Sequence, residues 1–114
     1  MRSTVSYPPK VQRAAEALLT KPAHCPPELR QAVEAYAAKL GGGLAEVAAE
    51  LPANLVDYVR KVALNAYETT DADLAGLRAS GYSDDEIFEI TLCASLGAGL
   101  GRMERGLSVL KGGR

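Results

Sequence analysis

Between Thr91 and Gly101 the chain reads TLCASLGAGLG, a stretch without a single charge, although Glu86, Glu89, Arg102, Glu104 and Arg105 crowd both its ends. The residues before it supply a helix start. Ser83 and Glu86 form an S-x-x-E capping box, in which each side chain answers the other's free backbone amide, and the helix opened there is expected to run to about Leu110. Its uncharged middle is expected to be buried on most sides. Gly97, Gly99 and Gly101 each cost about 1 kcal/mol relative to alanine inside a helix, and a stable helix keeps such residues where another backbone approaches closely. With Ala94, Ser95 and Ala98 they make small-residue ridges at four-residue spacing, which permit a close helix crossing. Ala94, Gly97, Ala98, Gly99 and Gly101 are therefore read as an oligomer interface. The GAGLG run has some likeness to a phosphate-binding glycine loop, but no strand precedes it and the last spacing of GxGxxG is missing.

The rest of the chain is also helical by spacing, and no stretch alternates as a strand must. Five or six helices are expected, in an all-α bundle forming one domain over residues 1–114, with residues 1–9 and 111–114 as tails. Val11, Ala14, Ala15, Leu18 and Leu19 make one amphipathic stripe closed by Pro22. Leu29, Val33, Tyr36, Ala37 and Leu40 make a second, ended by Gly41, Gly42 and Gly43. A short helix carrying Leu44, Val47, Ala48 and Leu51 follows, limited by Pro52. The segment from Ala53 to Tyr67 offers Leu55, Val59, Val62 and Ala66 on one face, with Val56, Ala63 and Tyr67 beside it. Thr70 then opens a T-x-x-D start with Asp73, and Gly81 is placed as a left-handed stop.

Composition narrows the function classes. Thirteen Lys and Arg stand against 14 Asp and Glu in 114 residues, and the net charge of -1 gives no electrostatic case for nucleic acid or an anionic membrane as partner. A single His excludes a zinc site of several imidazoles, the absence of Trp and a lone Phe leave no stacking platform for bases, and no metal or cofactor is expected. No signal core or bilayer-length apolar run occurs, so a cytoplasmic protein is expected. A chain this short buries only about two thirds of its unfolded surface. A core shared between subunits would relieve that limit.

The stretch from Asn65 to Ile90, NAYETTDADLAGLRASGYSDDEIFEI, resembles the alkylhydroperoxidase D-like and carboxymuconolactone decarboxylase superfamily. There a TDADhxxLRxxG helix is followed by hSDxEIxEI and a long helix of small residues ending in an arginine, here Arg102. The likeness covers about Val62 to Leu110 and is fainter toward the N-terminus. It implies an all-α fold whose protomers interlock as trimers or hexamers. It also implies, in the peroxidase branch, an E-x11-C-x2-C-x3-H motif. Laid on the helix from Pro27 to Leu40, the motif positions fall on Gln31, Gly43, Glu46 and Glu50, and none has the required residue. Thiol peroxidase chemistry needs a thiolate and a resolving partner, which Gly43 and Glu46 do not supply. Gln31 cannot exchange a proton, and Glu50 replaces a near-neutral imidazole by an ionised carboxylate.

The expectation is a homo-oligomer without peroxidase activity, either non-catalytic or binding a small organic ligand. The alternative is a cysteine-independent decarboxylase-type or lyase-type enzyme acting on a small organic acid, with Glu34, Glu46 or Glu50 as acid or base and Arg102 holding a carboxylate. Glu46 and Glu50 share a helix face, which as readily describes a solvated acidic surface. Cys93 reads as a small buried hydrophobe. Cys25, beside His24 in a loop, is expected to be the more exposed thiol; a thiolate–imidazolium pair is one reading of the two, but Pro26 and Pro27 favour a structural role in which they end a linker and start a helix. Arg102 and Glu104 read as a solvated or interface ion pair, and Tyr36, Tyr58 and Tyr67 as core rings with hydroxyls at the rim.

Overall fold

Proline sets the start of three helices. Pro8 and Pro26 precede Pro9 and Pro27, whose fixed φ and missing amide suit the first helical position, and Pro52 holds the same extended geometry ahead of Ala53. The computed structural model describes residues 8–44 and 50–112. Among them the chain forms α1 (Pro9–Thr20), α2 (Pro27–Leu40), α3 (Ala53–Asn65), a single 3-10 turn (Ala66–Glu68), α4 (Asp71–Ala79) and α5 (Asp84–Leu110). All the regular structure of the described residues is helical. The helix expected from Leu44 to Leu51 falls largely on residues 45–49, which lie outside the described residues, as does Glu46.

Both anticipated capping boxes are formed. The Thr70 hydroxyl accepts from the Asp73 amide while the Asp73 carboxylate accepts from the Thr70 amide, and Ser83 and Glu86 do the same at the head of α5. Lys61 of α3 donates two hydrogen bonds to Asp73, and this partner with the Thr70 amide holds the Asp73 carboxyl below the usual range. Gly81 adopts φ +104°, a conformation closed to most side chains, so α4 stops there and the chain turns into α5.

The core lies between α2, α3 and α5. Val33 and Ala37 of α2, Leu55, Val59 and Ala63 of α3, and Ile87, Ile90, Cys93, Ala94 and Ala98 of α5 are buried against one another. Ala15 of α1 and Leu100 of α5 form a smaller cluster beside it. Ala14, expected on the inner face of α1, is exposed. Tyr58 sits in the core with its hydroxyl bonded to Thr91, and Tyr36 stays half-buried with its hydroxyl accepting from Arg60. Tyr67 departs from its expected place: it is 84% exposed, because the helix gives way to the 3-10 turn at Ala66 and rotates the ring out of the α3 stripe.

α5 runs beside α2 in the same direction. Its early residue Glu89 meets the loop before α2, its middle glycines meet the middle of α2, and Glu104 meets the chain beyond α2. A Cβ on Gly97 would lie 2.9 Å from the carbonyl carbon of Glu34 and closer still to its oxygen, and one on Gly101 would meet Ala38 in the same way. A Cβ on Gly41 would come 2.6 Å from the Ala98 oxygen. The close crossing expected of these residues is thus made within the chain. Ala94, Gly97, Ala98 and Gly101 are buried within their own protomer. Gly99 differs, since it is exposed and a Cβ there would meet nothing within 4 Å. The physical reason is angular: at 100° per residue Gly97 and Gly101 point one way and Gly99 the other.

Candidate functional site

Charged side chains are rarely buried without a task, and Arg30, Glu34, Glu89 and Glu104 are all buried here. Arg30 stands on the α2 face that also carries Val33 and Ala37. Its Nε donates to the Cys25 carbonyl at 3.1 Å, and its two terminal nitrogens donate to the carbonyls of Leu18 and Lys21. Those oxygens belong to the last turn of α1 and the loop after it, where a helix leaves acceptors without partners. Arg30 therefore closes α1 from the side, and Gln31 adds a 3.3 Å bond to the Leu19 carbonyl.

Glu89 performs the complementary task. Its carboxylate accepts from the His24 amide at 2.9 Å and from the Cys25 amide at 2.8 Å, gathering the donors just ahead of α2. Burial acts to raise its pKa, but the Cys25 and His24 amides outweigh that and hold the carboxyl below the ordinary range. Glu104, fully buried, accepts from the Leu44 amide at 2.6 Å at the other end of α2. One helix thus carries two carboxylates that fasten the chain on either side of its neighbour.

The two cysteines join this cluster. Cys25 is buried, contrary to the exposure expected of a loop residue, because Glu89 draws its backbone onto α5, and its Sγ donates to the Glu86 carbonyl at 3.6 Å. Burial, with Glu89 and Glu86 adding to it, pushes its thiol up to about 11. Cys93 is fully buried one turn beyond Glu89, and burial pushes it up to about 12 although Arg30 pulls the other way. Each thiol lies within electrostatic reach of Arg30 and Glu89, and Cys93 within reach of Cys25. Both are protonated at neutral pH and poor nucleophiles. The imidazole of His24 faces solvent instead, 3.7 Å from Asp85, so no thiolate–imidazolium pair forms with Cys25.

The positions laid on the peroxidase motif are spread along the chain. Gln31 is in the first turns of α2, and Gly43 lies beyond its end, where its amide turns back to the Ala38 carbonyl. Gly43 is buried because a Cβ there would stand 2.8 Å from the Ala38 oxygen. Glu50 is exposed. Glu34 is buried beneath Gly97, and Arg102 donates from α5 to the Ala63 carbonyl at 2.6 Å, closing the end of α3. Arg102 and Glu104 do not make the expected ion pair, because two residues turn a helix by about 200° and set them on opposite faces. Among the described residues, no group of three or more His, Cys, Asp and Glu is arranged to hold a metal ion.

Arg30 and the latching role of Glu89 escaped the sequence reading. The signal was present: Arg30, Val33 and Ala37 share one helical stripe, as do Glu89 and Cys93, so each charge interrupts an apolar face. The hydrogen bonds of Arg30, and those of Glu89 to the His24 and Cys25 amides, go to the backbone of this chain, and their chemistry is that of structural latches. Compared with known proteins, the chain matches no protein-family model, no curated protein and no solved structure.

Proposed function

We propose that the chain is an all-α, homo-oligomeric protein resembling the alkylhydroperoxidase D-like superfamily, without its thiol peroxidase chemistry, acting through self-association. The observation that supports this best is the outward face of α5. Phe88, Leu92, Gly99, Met103 and Gly106 fall within about 60° of one another around the helix, and each is exposed. No charged side chain lies within that strip between Phe88 and Leu110, and a Cβ on Gly99 or Gly106 would meet nothing. Glycine in an exposed helix costs stability and here returns no packing within the chain. Exposed apolar side chains gathered in a strip support a reading in which this surface has a partner. None of the described helices is long and apolar enough to cross a membrane.

Loss of peroxidase chemistry rests on the thiols. Both are buried with raised pKa values, and neither stands at a motif position. Sedimentation equilibrium over a concentration series tests the reading. An associating species at micromolar to submillimolar concentration is expected, together with peroxide consumption no faster than that of a Cys25→Ser, Cys93→Ala variant. A monomer throughout the range would overturn it.

A further inference from the structure

Self-association leaves open how two copies meet, and α5 carries an asymmetry that decides it. Asp84, Asp85 and Glu86 occupy its first turn, whereas Arg102, Arg105 and Lys111 lie toward its far end. The helix macrodipole opposes the charges at each end within one chain, and two such rods side by side in parallel would set acid on acid and base on base. We infer, resting on the self-association reading above, that the outer strip of α5 is covered by the same strip of a second copy laid antiparallel across a two-fold axis beside Ser95 and Gly99.

That register has consequences for every layer of the strip. Ser95 faces Gly99 of the second copy, and the two small residues let the helices approach closely at the axis. Phe88, 63% exposed, faces Gly106, where no side chain fills the space beneath the ring. Leu92 lies beside Met103. Asp85 comes within about one turn of Lys111 of the second copy, while Asp84 keeps its ion pair with Arg78 and Arg105 its bond to the Gly42 carbonyl, so the ends attract where a parallel pair would repel. Both unexplained outer glycines thus acquire a neighbour.

Area sets the strength. From Phe88 to Leu110 the strip is about 33 Å long, and with a width of about 10 Å it covers about 330 Å² per protomer. A standard interface takes about 800 Å² from each partner. Leu64 and Tyr67 are exposed as well, at the end of α3 that Arg102 ties to α5. The contact is therefore a weak one, with a dissociation constant in the micromolar range or above. A two-fold contact builds a dimer or, with a second kind of contact, a hexamer, but not a plain trimer.

Single cysteines introduced on the exposed strip test the register, because Cys25 and Cys93 are buried. With a short bis-maleimide, Ser95→Cys is expected to cross-link to itself across the axis. Asp85→Cys is expected not to, since antiparallel packing separates the two sites by about 36 Å. Self-linking of Asp85→Cys, or none by Ser95→Cys in a sample that sediments as an oligomer, would overturn the inference while leaving self-association intact. A native chain that stays monomeric up to submillimolar concentration would overturn both. Met103→Glu supplies the second arm: at least a tenfold loss of association is expected, and unchanged association with unchanged helix content would contradict the strip as the interface.

Discussion

Gly97 and Gly99 stand two residues apart on α5 and teach opposite lessons about the same amino acid. At Gly97 the missing side chain lets the backbone of α2 come in until a Cβ would strike Glu34, and Gly101 repeats the arrangement at Ala38. At Gly99 and again at Gly106 the missing side chain leaves open space. The inner pair is explained entirely by this chain. The outer pair is a cost without an internal return, and that contrast directs attention to a second molecule.

The comparison breaks most readily at the inner face. Gly97→Ala and Gly101→Ala each force a carbon into a backbone carbonyl that cannot rotate away, and each should lose about 3 kcal/mol or more in urea unfolding. A loss below about 1 kcal/mol at both sites would show that the α2–α5 crossing is looser than described. Arg30→Met removes the donors to three carbonyls at the end of α1 and the following loop, and about 2–3 kcal/mol of stability should go with them. Arg30→Lys should recover little, because an ammonium cannot reproduce the planar fork.

Acid titration sharpens the account of Glu89. Its folded carboxyl titrates below the ordinary glutamate value of about 4.3, so the stability it contributes is present above that pH and is lost as pH falls through the lower folded value. Glu89→Gln should remove about 1–2 kcal/mol at neutral pH and flatten the acid limb of the stability curve. An acid limb identical in the two proteins would show that the latch bears on stability elsewhere. The thiols give a kinetic check on the same region: Cys25 and Cys93 should react with a thiol reagent at neutral pH only as fast as the chain opens, and both at similar rates. Rapid labelling of either in the folded protein would contradict the burial that raises their pKa values. The smallest effect belongs to the outer face, where Gly99→Ala and Gly106→Ala should each raise the stability of the monomer by up to about 1 kcal/mol.

Most of the fold was legible in the sequence because it is written in local terms. The Ser83–Glu86 and Thr70–Asp73 boxes, the stop at Gly81 and the apolar stripes of α2 and α3 depend on residues within a turn or two of each other. The site was less legible because its partners are distant in the chain. Cys25 is buried by a carboxylate more than sixty residues away, which no reading of its loop neighbours can reveal. The stripe shared with Val33 and Ala37 marks Arg30 as facing inward, but its acceptors are backbone oxygens, and these leave no mark in a sequence. The glycine ridge shows the same limit: close approach was readable from spacing, but which helix approaches was not. Arg102 and Glu104 were paired by proximity in sequence, and helical geometry separates them.

Gly99→Glu tests the division between the two faces of α5 most directly. The position is exposed and a Cβ there meets nothing within 4 Å, so glutamate, a better helix former than glycine, should leave helix content unchanged and raise the unfolding midpoint slightly. The same charge, set at the centre of the strip, should shift sedimentation of the chain to monomer at concentrations where the native protein associates. A folded variant that still associates like the native chain, or a variant that unfolds, would contradict the account.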